Sequence, residues 1–456
     1  MRPLPLIISA AILAAHSVVA APYCDALADP EAIGNAYKRI APIYSDSHTG
    51  WIFARDQLRQ DYALNDSTVS LLTQVVAEVR ARGAELAILI APPRPIVAAG
   101  IAGAATLPAE AEFDAAAASG TFHRMISQIN GTGALAPDLL HLLEDRPDLA
   151  ARYYFSRDTH WTHEGAAESA VALARRLTEA GVPGLVADHP HASPLSTTHT
   201  YTEKGSLSQV VAKVCALALA PEIVPTVDFP ASSTETGLLG DTTTPEGPRI
   251  ALVGTSFSNR NQRDAYRVAD ALAYATGREV DNFSVSGGGA LSAIESYILS
   301  GALDAGSHDI LVWEAPYTTA LRSASGLRQL LGALRAGAPR RLLAETSLPD
   351  TGTADLEIPT QAADTYLVEI LTAKPGAQKV RGRVIYDNGS STKVMFHRSA
   401  RMPQVERDKP LRMTIDGSAK RRPVAIEVTF DPDHAAGGTL SVHALNQGPR
   451  SPQGDD

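Results

Sequence analysis

The feature that most restricts the fold of this chain lies between residues 66 and 90. Val69, Leu72, Val75, Val76 and Val79 recur at helical spacing behind a capping residue at Asp66 or Ser67, and Gly83 closes the segment. Leu86–Ile90 then runs without a polar side chain until Pro92 and Pro93 stop it. A strand that is apolar on both faces must be covered on both faces, as in parallel sheets flanked by helices. The pattern returns at Arg249–Val253, which opens into Gly254-Thr255-Ser256, and at His308–Trp313. Helices are expected at 164–180, 262–276 and 290–300, and a further strand near Val280–Val285. Helix, short turn and apolar strand in repetition specify a doubly wound α/β domain.

Two segments fall outside that repetition. Residues 185–248, rich in Pro, Thr, Ser and His, are too long for a simple connection and read as a covering excursion with a short helix near Leu207–Leu219. Composition changes again near 345–355. Beyond it, short β-prone segments at 365–371, 380–386, 393–397, 411–415, 423–430 and 438–443 are separated by Gly, Pro, Asp and Asn. They predict a small β-sandwich. The expected division is therefore a large α/β domain over 21–348, a β-module over 349–446 and a disordered tail over 447–456.

The first 20 residues read as an export signal: Arg2 supplies positive charge, Leu4–Val19 is mostly apolar, and Val18-Val19-Ala20 suits cleavage after Ala20. The run is short for a membrane span and lacks a stop-transfer flank, so an uncleaved anchor is the weaker alternative. A periplasmic location follows. In that oxidising compartment the chain's two cysteines, Cys24 and Cys215, are expected to pair, the alternative being two free buried thiols. A formal net charge of −10 argues against nonspecific nucleic-acid binding, while leaving room for local basic patches.

Two short blocks carry chemistry. Ser256 follows a buried strand, where open α/β sheets present ligands, and is expected to start the next helix, with amides facing a developing oxyanion. In Arg157-Asp158-Thr159-His160-Trp161-Thr162, the last residue can cap a helix. Asp158 and His160, two apart, share one side of an extended chain. A serine nucleophile needs a base, and the base an orienting carboxylate. A metal reading of Asp158, His160 and His163 competes, but no further carboxylate–His cluster completes it. Ser286-Gly287-Gly288-Gly289 allows close backbone approach, with Gly288 or Gly289 as a second oxyanion donor; the spacing is not a dinucleotide fingerprint. Neither cofactor nor metal is expected.

Taken together, these blocks resemble the SGNH-hydrolase-like acyltransferases of alginate O-acetylation, the AlgX/AlgJ group. The matching residues are Gly50-Trp51-Ile52-Phe53, Asp158-Thr159-His160-Trp161-Thr162 with Gly165-Ala166, Gly254-Thr255-Ser256-Phe257-Ser258, Gly287-Gly288-Gly289 and Trp313-Glu314. The order Asp, His, Ser is permuted relative to typical SGNH hydrolases, in which the serine comes first. The resemblance implies Ser256 as nucleophile, His160 as base and Asp158 as orienter. It also implies that the β-module acts as a carbohydrate-binding module, and that Cys24 and Cys215 form a disulfide. Two features depart from the pattern: Phe257 stands where tyrosine is usual, and the β-module carries no cysteine.

Between Lys374 and Arg422 stand 13 Lys or Arg against four acids, a local excess suited to the carboxylates of a polyuronate. Lys393, Arg398 and Arg401 are the candidate contacts. The expected activity is O-acetyl transfer to an exported anionic, alginate-like polysaccharide through an acetyl-serine. Other envelope proteins of an acetylation and export complex are the expected partners. The competing readings are a polysaccharide acetylesterase and a non-catalytic scaffold that binds the polymer.

Overall fold

A computed structural model describes residues 21–445, apart from 102–106, 186–194, 230–246, 261–262, 319–320, 322, 360–362, 377–378 and 419–420. The expected signal over 1–20 and tail over 447–456 lie outside the described residues. Among those described, no helix is long and apolar enough to cross a membrane.

The apolar runs build a four-stranded parallel sheet. Its order is Glu85–Ile90, Ile310–Ala315, Ile250–Val253 and Val280–Asn282. Every residue of the two central strands is buried, so the sheet is covered on both faces. The strand expected over 280–285 is regular only to Asn282, but the Phe283 and Val285 amides still donate to Leu252 O and Gly254 O at 2.8 and 2.9 Å.

The helices fall close to expectation, with two corrections at their starts. The helix Asp66–Arg80 is capped by Asn65, whose side chain accepts from the Thr68 amide, rather than by Asp66 or Ser67. The helix expected over 262–276 begins only at Val268. The Asp264 carboxylate takes the Val268 and Ala269 amides at 2.9 and 2.8 Å, and Arg267 enters in a left-handed conformation. Helix formation is thus delayed until those first donors are satisfied.

In the excursion, a hairpin joins Leu195–Glu203 to Glu222–Asp228, and the helix between them spans Ser206–Val214, shorter than expected. Cys215, at the end of that helix, is bonded to Cys24 with Cα atoms 5.8 Å apart. The bridge closes a separate apolar cluster that includes Leu27, Ile43, Ile52, Leu207 and Val211.

Two four-stranded antiparallel sheets enclose a second core and form the β-sandwich. Its sheets include Arg340–Ser347 and Thr353–Glu357 in addition to the segments read from sequence. Arg340–Ser347 had been assigned to the α/β domain, but it pairs with Thr439–Leu445 of the sandwich. The two units meet closely. A Cβ added at Gly332 would lie 2.5 Å from the backbone of Arg412, so the helix Ala324–Leu334 and the strand Leu411–Asp416 touch through a residue with no side chain. Beside this contact, Arg398 of the sandwich and Glu295 of the α/β domain form a fully buried ion pair at 2.9 Å. Removing one member leaves an uncompensated buried charge. We expect Arg398→Met to cost about 3–5 kcal/mol in urea unfolding and Arg398→Met with Glu295→Leu to recover only part of it, since the Arg407, Lys409 and Pro410 carbonyls still lack their donor.

Candidate active site

The segment bearing Asp158 and His160 is a tight loop rather than an extended chain. An antiparallel bridge between Tyr154 and Trp161 closes it, and Thr162 begins the helix His163–Glu179 by accepting from the Gly165 amide at 3.1 Å. In this loop the Asp158 carboxylate folds back on its neighbour: Oδ1 accepts from the His160 amide at 3.0 Å and also faces His160 Nδ1. Arg94, fully buried, braces the approach to the loop by donating to the carbonyls of Ile52, Phe155 and Ser156. Its guanidinium lies 5.2 Å from the Trp51 ring and 5.3 Å from the Phe53 ring. These contacts give the Gly50–Phe53 block a physical role in positioning the loop.

Ser256 sits beyond Ile250–Val253 in a single turn, closed by the Ser258 and Asn259 amides donating to Thr255 O. No helix follows at once, so the turn lacks the dipole of a helix start, and it is held from below. Glu314, at the end of the neighbouring strand and 1% exposed, accepts from the Thr255 amide, Thr255 Oγ1 and Ser258 Oγ at 2.6–3.2 Å. Gly254 is required for this arrangement, because a Cβ there would stand 2.5 Å from Glu314 Oε2. Trp161 Nε1 donates to Phe257 O at 3.0 Å and links the turn to the histidine loop. Ser256 Oγ then lies 2.8 Å from His160 Nε2, which joins the serine, histidine and aspartate into one chain.

Electrostatics organise the far end of that chain. Asp158 has no solvent exposure. Burial pushes its carboxyl up, but the His160 ring, Arg260 and the Ser206 amide outweigh burial and hold it well below the usual carboxylate range. Its Oδ2 accepts from the Ser206 amide at 2.6 Å and from Arg260 at 3.0 Å. Arg260 also pairs with the buried Glu203 at 3.1 Å. Sequence reasoning missed Arg260, Glu203 and the part played by Glu314. Arg260 and Glu314 lie within or beside motifs already singled out, whereas Glu203 reaches the site only through the hairpin. His163 points away from the triad, among the rings of Tyr201 and Tyr266, and burial lowers its pKa to about 4. It therefore does not join Asp158 and His160 in a ligand set.

A cavity of about 230 Å³ opens over Ser256 and His160, bordered by Gly287, Gly289, Tyr317 and Thr318. Gly289 therefore meets the site as expected. Gly288 does not, because its amide donates to Val285 O at 3.2 Å; its neighbour Gly287 lines the cavity instead. The three basic candidates separate. Lys393 is exposed on the outer face of the strand Ser391–His397, opposite Arg383. Arg401 is exposed beside Gly287 and lines an adjoining cavity of about 520 Å³. Arg398 is 1% exposed, committed to Glu295 and to the carbonyls of Arg407, Lys409 and Pro410, so it is a structural residue and not a surface contact.

Residues 47–317, more than half of the chain, match the family described as SGNH hydrolase-like domain, acetyltransferase AlgX. The chain belongs to the AlgX family. The alginate biosynthesis protein AlgX of Pseudomonas aeruginosa is 27% identical over 371 residues, covering 76% of this chain and 73% of that protein. A solved structure of Pseudomonas aeruginosa AlgX superposes with a TM-score of 0.68 at 22% identity, covering 93% of this chain and 99% of the other, and shows the shared fold. A protein of Pseudomonas putida described as probable alginate O-acetylase AlgJ is 26% identical over 282 residues, 58% of this chain and 67% of its own. At the family level, the resemblance read from the motifs is correct.

The serine turn of this AlgX-family chain carries a pH-dependent element. Burial raises the Glu314 carboxyl to about 7, well above the 4.5 of an ordinary glutamate. A folded carboxyl that holds its proton more tightly than the unfolded one stabilises most below pH 4.5, and this contribution is lost as the pH rises to about 7. Glu314→Gln should flatten that part of the curve of urea midpoint against pH. Its carbonyl oxygen can keep the Thr255 amide while its NH2 donates to Thr255 Oγ1, so the turn should survive, whereas Glu314→Ala, which strips the Thr255 amide and both hydroxyls of their acceptor, should lower the urea midpoint markedly.

Proposed function

We propose that this protein transfers acetyl groups to hydroxyls of an alginate-like polyuronate in the periplasm, through an acetyl-serine on Ser256. The observation that carries the reading is the 2.8 Å contact between Ser256 Oγ and His160 Nε2, with Nδ1 of the same ring against a buried carboxylate and the hydroxyl facing a cavity. In the first half-reaction Nε2 takes the hydroxyl proton while Oγ attacks the carbonyl of an acetyl donor. The bond to the donor's leaving group breaks, and that group leaves with the proton now on Nε2. In the second half-reaction Nε2 takes the proton of a sugar hydroxyl, the sugar oxygen attacks the acetyl-serine, and Ser256 Oγ recovers the proton. The backbone amides of Ser256 and Gly289, which border the cavity, are the proposed oxyanion donors.

The β-sandwich supports an anionic acceptor. On the outer face of one sheet, Lys379, Arg381 and Arg383 lie opposite His397, Met395 and Lys393, and all six are exposed. Glu427 neutralises Arg383, which leaves Lys379, Arg381 and Lys393 as the charge of this face, and His397 at its end lines a cavity that shares Gly289 and Thr318 with the one over Ser256. In this reading the sandwich is the carbohydrate-binding module, contacting uronate carboxylates through Lys393 and, beside the site, through Arg401. The names of the relatives, the cleaved-signal reading of residues 1–20 and the disulfide support export and work alongside other envelope proteins of an acetylation complex.

The test incubates mature protein with an artificial acetyl ester and defined oligomannuronates, with products followed by mass spectrometry. Acetylated oligosaccharide is expected from the wild type and none from Ser256→Ala. Free acetate without acetylated sugar would instead make the protein an esterase, and no Ser256-dependent turnover would make it a scaffold. Lys393→Ala is expected to raise the KM for the oligosaccharide about three- to tenfold while leaving hydrolysis of the small ester unchanged.

A further inference from the structure

We propose that Glu203 is a positioning residue for the triad: by holding and neutralising Arg260, it keeps the Nδ1 proton of His160 on the Asp158 side. The inference rests on His160 acting as the base. Two groups compete for the same ring nitrogen. Asp158 Oδ1 faces Nδ1, and Arg260 Nη1 lies 2.9 Å from it. A ring nitrogen carrying a proton can bond only to the carboxylate, and one without a proton can accept only from the guanidinium. In the first tautomer Nε2 has a free lone pair and can take the Ser256 proton. In the second, Nε2 carries a proton and can only donate to Ser256 Oγ, which leaves the nucleophile unactivated.

The surrounding charges decide between these states. Arg260 is largely buried and faces Asp158, Glu203 and His160. Left alone, its positive charge would cancel that of Asp158 and oppose the imidazolium that forms during transfer. Glu203, 5% exposed, restores the balance. It takes Arg260 Nη2 at 3.1 Å and is itself fixed by the Gly205 amide at 3.0 Å and by the Tyr266 and Tyr201 hydroxyls at 3.1 and 3.4 Å. Of the other groups nearby, His163 is neutral above about pH 4 because of its burial, and the fully buried Arg94 guanidinium also acts on Asp158 electrostatically. Arg260 and Glu203 thus form a neutral pair that still holds Asp158 Oδ2 in place, so that Arg260 does not cancel the charge of Asp158 beside His160.

The experiment combines a readout independent of turnover with one that depends on it. Long-range 15N–1H spectra of full-length mature protein report the His160 tautomer, and the pH profile of kcat/KM for an artificial acetyl ester reports its consequence. The wild type should show the proton on Nδ1. Glu203→Gln should move a measurable fraction to Nε2, lower kcat/KM about tenfold or more, and move the acid limb of the profile to lower pH. Adding Arg260→Met should restore both the tautomer and most of the activity. Arg260→Met alone should keep the proton on Nδ1 and move the acid limb up by about one unit; if Glu203→Gln fails to fold, Glu203→Asp, which keeps the charge but draws it back from Arg260 Nη2, should shift the tautomer and the acid limb in the same direction as Glu203→Gln by a smaller amount, and no shift there would overturn the proposal. An unchanged tautomer in Glu203→Gln, or a double variant as impaired as the single one, would overturn it. A wild type with the expected tautomer but no Ser256-dependent turnover would sink the transferase reading and leave this assignment standing.

Discussion

The Asp158 carboxylate is shut away from water, and a charge in that position must be surrounded by donors or give up its ionisation. Its donors come from distant parts of the chain: the His160 amide and ring, the Ser206 amide and the Arg260 guanidinium. Meeting this need draws together the loop before one helix, the end of the excursion hairpin and the turn that carries Ser256. The excursion over 185–248 is therefore more than a cover. Its Glu203–Ser206 corner closes the electrostatic cage of the triad.

A second buried carboxylate does similar work on the other side of the nucleophile. Glu314 ends a central strand and gathers the amide and hydroxyls of the Thr255–Ser258 turn. Where many such sites place the nucleophile at a helix start, this chain delays its helix to Val268 and fixes the serine by side-chain hydrogen bonds instead. Rigid donors around a buried acid give a defined geometry, because any displacement leaves a polar group unpaired. Arg94 applies the same rule with the charge reversed, satisfying the carbonyls of Phe155 and Ser156 on the first arm of the histidine loop and that of Ile52 beside it.

Between the two units, the Glu295–Arg398 pair and the close approach at Gly332 set one relative placement of the sandwich and the α/β domain. That placement brings His397 and Arg401 beside the loop bearing Gly287 and Gly289. In the proposed reading, this is where a long acceptor would pass from the sandwich to the cleft.

The parallel sheet and most of the sandwich strands were legible in the amino-acid sequence, and so were Ser256, His160 and Asp158 as the three side chains that the fold brings together. Apolar runs and helical spacing report burial directly, and the motif blocks are local in the chain. Arg398 shows where that reading stops. Composition marks it as one basic residue among many, but only its burial against Glu295 makes it structural while Lys393 remains exposed. Gly288 and Gly287 exchanged roles for the same kind of reason, since backbone donors are assigned by the turn they form. Glu203, Arg260 and Glu314 could not be placed without the fold, because a buried charge takes its partners from segments dozens of residues away.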